Sequence, residues 1–453
     1  MAGLLLAGAM VVGVVSLLRP RAGFYVLLAI HLAVPSRLAQ LAVVSFGVQW
    51  YWSDLLFVAI VLAYLVRFLA GGRFLVPSYS LRYLAPIAVF VAGSFLAGAY
   101  GAMLHGDGAA ASDIRFIPFL LLVLPFLEAF SAERHLIRLI DRVILFCAIA
   151  FAANILASFM VSAVPIIRQV GFFQEVTPFG FPEIRLATYD AYLVGIPLSA
   201  MHALLGRGRA RRRGVIILAI GLFSLLTYFS RAQLVLLSAS AAIAYFTIRG
   251  QISPRVRQVL VGTAGITVLT ATITGLLDSA IAYAQLFDAA NSSNAYRAQE
   301  YQVASEIITD SSILIGAGFG LIYEFRVDGL HFAHQYLHNY YVFLVSKAGI
   351  ILLAAFLWIC GSYLLSGGAF KRVAAGWRMS AAYHGMRIAL LSVLLSGMFT
   401  TNLFFGAHMV LPMLLGSILV CLRPSARGQS TAAPGAPPPA SDRIDCTAAR
   451  VRS

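Results

Sequence analysis

Apolar runs long enough to cross a lipid bilayer, at roughly 20 residues each, recur from the first residues of this chain to beyond position 400. That pattern leaves few architectures. Inside hydrocarbon the backbone has no water to bond, so a span must satisfy its own N–H and C=O groups, as a helix or within a closed barrel. The period-two alternation of a barrel is missing, so the runs read as helices. Hydropathy places candidates at 2–18, 22–35, 53–70, 83–101, 114–130, 136–163, 187–205, 214–229, 232–248, 259–277, 338–365, 387–403 and 407–422. Some are short or fused. They predict an all-α polytopic membrane protein of about 12 (11–13) transmembrane helices, with 1–422 as a single polytopic domain.

Composition agrees. Of 453 residues, 60% are AVILMFWYC and 11% are DEKR, with a mean hydropathy of +0.86. Soluble domains carry about 25% charged residues, so an ordinary cytosolic enzyme is excluded. The net charge of +15 suits a nucleic-acid binder only in a chain far less apolar, so no nucleic-acid partner is expected. The basic residues read instead as a positive-inside bias. Clusters at Arg207–Arg213, at Arg249, Arg255 and Arg257, at Lys371, Arg372, Arg378 and Arg387, and at Arg134, Arg138 and Arg142 fall on one side when the spans are counted alternately. With Arg19, Arg21, Arg67, Arg73, Arg82 and the tail, 25 of 33 basic residues are expected inside. Arg37, Arg115, Arg168, Arg185, Arg231, Arg297, Arg326 and Lys347 remain outside and need an explanation. The N-terminal run has no basic residue before it and no small-residue cleavage site, so it reads as a retained span. Cys147, Cys360, Cys421 and Cys446 have neither metal-site nor disulfide-framework spacing.

Two outer segments are long, about 164–186 and about 278–337. The second carries seven acids against two arginines, a helix-like run at 295–309 and the turn-forming GAGFG at 316–320. It is expected to fold as a large periplasmic loop. Residues 423–453, rich in Pro, Ala and Ser, are expected to form a disordered cytoplasmic tail.

Candidate chemistry gathers at the outer end of one span, in HFAHQYLHNYYVFLVSKAGI (331–350). His331, His334 and His338 would share one face of any helix there. A metal site is conceivable, but no carboxylate or thiolate completes a familiar motif, so no metal or other cofactor is expected. Asn339 is a natural local helix cap. Tyr336, Tyr340 and Tyr341 read by default as interfacial aromatics. Arg231 lies between apolar residues, where a guanidinium needs an anion or a route to the interface. Arg297 is a lone base in an acidic loop, with Glu300 and Glu306 as helical ion-pair alternatives. Arg185 heads a span. Arginine forks bind phosphate bidentately, and histidine suits removal of a hydroxyl proton near neutral pH. Together they suit transfer from a lipid pyrophosphate to a hydroxyl.

Three stretches then resemble a family. HNYYVFLVSKAG at 338–349 is similar to the His-Asn-x-x-Leu…Gly signature of the O-antigen ligase and polysaccharide polymerase superfamily. YFSRAQLVLLSA at 228–239 resembles its Ser-Arg span start, and YRAQEYQVASEIITDSSILIGAGFG at 296–320 its Arg…Ala…Gly-x-Gly loop. Arg185 matches the family's arginine before the following span. The motifs cover about 185–352. Two positions depart from the pattern: Lys347 stands where an acid is usual, and Val342 where leucine is common.

The resemblance implies an inverting, metal-independent glycosyltransferase of the bacterial inner membrane with its active site facing the periplasm. The donor would be an oligosaccharide on undecaprenyl pyrophosphate, and the acceptor a growing glycan or lipid A–core. It carries over His338 as the base and Arg185, Arg231 and Arg297 as diphosphate contacts. His331, His334 and Arg326 are added as accessory candidates from the helical-face argument, with Asn339 beside them. Polymerase and ligase share these residues, with polymerase slightly favoured, and a chain-length regulator is a conceivable partner beside membrane lipids. A lipid-linked oligosaccharide flippase is the reading from another class. It should show mid-span ionisable groups or repeated halves, whereas the polar residues here gather at the outer surface, with Asp141 and Asp190 the main acids near span interiors and both close to expected span ends.

Overall fold

The computed structural model describes residues 2–35, 41–46, 48–70, 81–115, 117–130, 132–161, 163–170, 184–228, 236–237, 242, 245, 292–327, 329–365, 376–398 and 414–419. Over these residues the chain is mostly helical. By length and composition, five helical stretches can cross a membrane: Trp52–Leu69, Tyr83–His105, the segmented Asp107–Phe130, Arg134–Met160 and Tyr340–Leu365.

The chain opens with α1 (Ala2–Leu18) and α2 (Pro20–Ala33), joined at Arg19 and Pro20, where proline starts a helix at no cost in lost N–H bonds. A hairpin of β1 (Ala42–Phe46) and β2 (Val48–Tyr51) leads into α3 (Trp52–Leu69). Asp54 closes the first turn of α3 by accepting from the Tyr51 N–H at 3.0 Å. Then come α4 (Leu81–His105) and α5 (Asp107–Ile114). The span expected as one helix over 114–130 is instead α5, a 3-10 turn at Ile117–Leu122 and α6 (Val123–Phe130). Pro118 and Pro125 lack the donors a continuous helix needs. Next are α7 (Glu133–Met160), α8 (Pro165–Val170), α9 (Tyr189–Leu205) and α10 (Gly208–Tyr228). The run expected at 387–403 begins ten residues earlier, as α13 (Trp377–Ser396), because the Gly376 carbonyl starts it by accepting from Met379 and Ser380. The spans expected at 232–248, 259–277 and 407–422 lie wholly or mostly outside the described residues, as does 423–453.

Between bodies of the bundle the fit is aromatic and small-residue packing, the kind that holds helices together in lipid, where no hydrophobic drive separates them from the solvent. Phe24 meets Phe126 edge-on at 5.1 Å, and Phe151 lies 5.0 Å from Tyr192. Gly195 of α9 sits so close to Cys147 and Phe151 that a Cβ would collide with both.

From Ser292 onward the described part of the acidic segment folds. The helix expected at 295–309 is α11 (Ser292–Asp310), followed by a hairpin of β3 (Tyr323–Val327) and β4 (Leu330–His334) and then α12 (Tyr340–Leu365). The two hairpins are departures from a purely α chain. Between α11 and β3, residues 312–320 lie against α4 and α12. Helix α12 breaks at Gly349 (φ 78°, ψ 174°), and the freed carbonyls of Ser346 and Lys347 accept from the Ala317 and Gly318 N–H groups, both at 2.8 Å. Irregular backbone in a span is tolerated where protein covers it in this way. Gly318 has φ 91° and touches Gly101 of α4, leaving no room for a Cβ. That explains the glycine spacing of GAGFG.

Candidate functional site

His338 stands just before α12, and α11 brings a carboxylate to it. Glu300 receives the His338 Nδ1 at 2.9 and 3.0 Å from its two oxygens, and also the His338 backbone N–H at 3.2 Å. The Glu300 side chain is 3% exposed, while that of His338 is 47% exposed. In a neutral imidazole, the tautomer that can donate to this carboxylate has its proton on Nδ1 and its lone pair on Nε2. The bond fixes the tautomer and the ring orientation, as a carboxylate does for a catalytic imidazole. Tyr296 packs edge-on to the His338 ring at 5.6 Å. Burial first, and the Glu300 carboxylate second, push the Tyr296 phenol up to about 12, so it stands as a neutral wall.

Glu300 was legible only as a partner for Arg297, and that pairing does not form. No ion pair joins Arg297 to Glu300 or Glu306 among the described residues, and Glu306 accepts from Gln302 instead. The missed signal was periodicity. Tyr296, Glu300, Val303, Ala304 and Ile307 share one face of α11 at helical spacing, and Glu300 and Ala304 on it are buried. A lone carboxylate in a packing stripe demands a partner.

Arg297 lies three residues before Glu300, on the neighbouring turn, and within electrostatic reach of Tyr189 at the head of α9. Tyr189 is in turn within reach of Tyr228, and the Arg185 guanidinium lies 5.7 Å from the Tyr228 ring centroid. Arg185 is placed by Asn154, whose Oδ1 accepts from the Leu186 and Ala187 N–H groups while its Nδ2 donates to Thr227. Arg185 and Arg297, far apart in sequence, thus approach one tyrosine pair. Arg231, three residues beyond Tyr228, lies outside the described residues.

The three-histidine face does not form, because residues 330–334 are a strand and not a helix. Alternation in a strand puts His331 opposite Arg326 on one face and His334 opposite Tyr323 on the other. His331 and Arg326 therefore point away from His334; His331 is 3.7 Å from exposed Glu324. His334 stays near the site, its ring 6.1 Å from Tyr296. Among the described residues, no three His, Cys, Asp or Glu side chains gather as a metal site would need. Asn339 caps α12: its Oδ1 accepts from the Tyr341 and Val342 N–H groups at 3.0 and 3.1 Å. The tyrosines are not a surface belt. Tyr340 is fully buried, and Tyr341 donates to the Leu394 carbonyl at 2.6 Å.

The outlying bases find structural partners. Lys347 is completely buried and donates to Asp113 Oδ2 at 2.6 Å, beside the Gly320 N–H at 2.7 Å on the same oxygen. Arg115 lies 3.9 Å from Asp54 and over the Tyr51 ring. Arg168 donates to the Val161 carbonyl. Asp54, Asp113 and Asp190 are buried, each near a helix end. Asp141 is half exposed beside Arg213. Arg37 lies outside the described residues.

Compared with known proteins, the chain matches no family model and no curated sequence.

Proposed function

We propose that this chain is an inverting, metal-independent glycosyltransferase of the bacterial inner membrane. It has about twelve spans and works at the periplasmic face on oligosaccharides linked to undecaprenyl pyrophosphate, as in the superfamily its motifs resemble. The observation that carries the reading is the contact of His338 Nδ1 with the buried Glu300 carboxylate, made by a histidine whose side chain is half open to solvent. In the reaction, Nε2 takes the proton of the acceptor hydroxyl as its oxygen bonds to the anomeric carbon. The bond from that carbon to the pyrophosphate breaks on the opposite face, and the diphosphate keeps the electron pair. Arg185 and Arg297 supply positive charge for that leaving group, a stabilisation that grows as charge develops. The acceptor is a second lipid-linked unit in the polymerase form and lipid A–core in the ligase form.

The test is transfer in proteoliposomes holding one lipid-pyrophosphate repeat unit. A ladder of products, unaffected by a chelator and absent for His338→Ala, is the polymerase outcome. A single product formed only with lipid A–core is the ligase outcome. Full activity in His338→Ala sinks the base assignment.

One observation favours a second reading, transport of the lipid-linked sugar. The buried Asp113–Lys347 pair adjoins a broken helix, and such features also mark substrate pathways. Under that reading lipid-linked substrate still crosses vesicles made with His338→Ala and stops crossing with Asp113→Asn.

A further inference from the structure

At the end of the bundle opposite His338, a cavity of about 470 Å³ opens between the α1–α2 junction, α3 and α6. Its wall carries Arg19, Arg21 and Arg67 against one carboxylate, Glu128, with Tyr25 and Tyr64 between them. Arg138 and Arg142 of α7 add positive potential, both within electrostatic reach of Tyr25. Arg21 is fixed, its Nε donating to the Ala129 carbonyl at 2.9 Å. The guanidiniums of Arg19 and Arg67 are exposed and make no hydrogen bond or ion pair among the described residues. Tyr64 is only 5% exposed, and its hydroxyl has no partner among the described residues. Three forked cations and an orphaned phenol around one hollow are a site for an oxyanion, since guanidinium pairs with phosphate bidentately. Next to the cavity, Leu18, Phe68 and Leu69 are half or more exposed, an apolar path on which an acyl chain can lie.

We propose that this cavity binds a phosphate group, and that the adjoining apolar surface makes an anionic phospholipid its natural carrier. The positive-inside rule assigns this end to the cytoplasmic leaflet, whose anionic lipids attract basic segments, and basic pockets between spans take their headgroups. The site is separate from the proposed diphosphate site at the His338 end and does not depend on it.

The test is a binding titration of the purified full chain in neutral detergent, with phosphatidylglycerol, phosphatidylcholine and inorganic phosphate as the three probes. Phosphatidylglycerol is expected to bind more tightly than phosphatidylcholine and to weaken as salt rises. Arg19→Gln and Arg67→Gln each weaken it about fivefold, and the pair about 25-fold. Arg212→Gln, in another basic cluster, leaves it unchanged. Inorganic phosphate that binds alone, and is lost in the same variants, identifies free phosphate as the carrier of the same chemistry. Equal binding of the two lipids with no binding of phosphate, or wild-type affinity in the double variant, overturns the site. The salt dependence is read on the wild-type protein, so it decides the matter even if a variant fails to accumulate; salt-independent binding overturns the site too.

Discussion

Two acid–base pairs flank the start of α12, and they are built in opposite ways. Asp113 and Lys347 are both sealed from solvent, and the acid also takes a backbone N–H from the glycine loop. Glu300 is sealed, but its partner His338 is half open. A pair closed on both sides presents no exposed group and clasps the chain segments it joins. A pair closed on one side spends the acid on orientation and keeps the base free. Charge pairing alone therefore does not distinguish the two pairs; the asymmetry of exposure does.

The comparison breaks most sharply at the sealed pair. Lys347→Met should destabilise the protein by about 3–5 kcal/mol, because it strands a buried carboxylate, and Asp113→Asn/Lys347→Met should recover most of that loss. Thermal unfolding in detergent reads both. A single variant that melts like the wild type would show that the clasp holds nothing. At the open pair the expected loss is in rate. His338→Ala should lower transfer by about 10²–10⁴, the range a positioned base supplies, and should cost less stability than Lys347→Met, because Glu300 keeps the backbone N–H of residue 338 and borders a half-open side chain. Glu300→Gln should also lower transfer, by up to about 10⁴, because the imidazole remains but its tautomer is no longer enforced. A matching drop in donor binding, measured without turnover, would make Glu300 a substrate contact rather than a positioning residue. The smallest effect belongs to His331→Ala on the outer face of the β3–β4 hairpin. Stability should stay within about 0.5 kcal/mol and activity should be unchanged; a lost activity there would bring the hairpin's outer face into the site.

Local pattern determined much of this protein. The apolar runs at 2–18, 53–70, 83–101 and 136–163 are helices within a few residues of their expected limits, and the acidic run at 295–309 is α11. His338, Arg185 and Arg297 stood out in the sequence as candidates, and Asn339 as a cap, which it is. Three other features were decided by tertiary structure. Residues 330–334 became a strand because β3 supplied a partner ladder, which helical spacing of histidines does not register. Helix α12 could break at Gly349 because a loop from 312–320 satisfied its carbonyls. Glu300 and Asp113 found their bases 38 and 234 residues away. Sequence periodicity reports neighbours three and four residues apart, on one face of one element. The closing of distant segments, and with it which charge is sealed and which is left open, is set only when the elements pack.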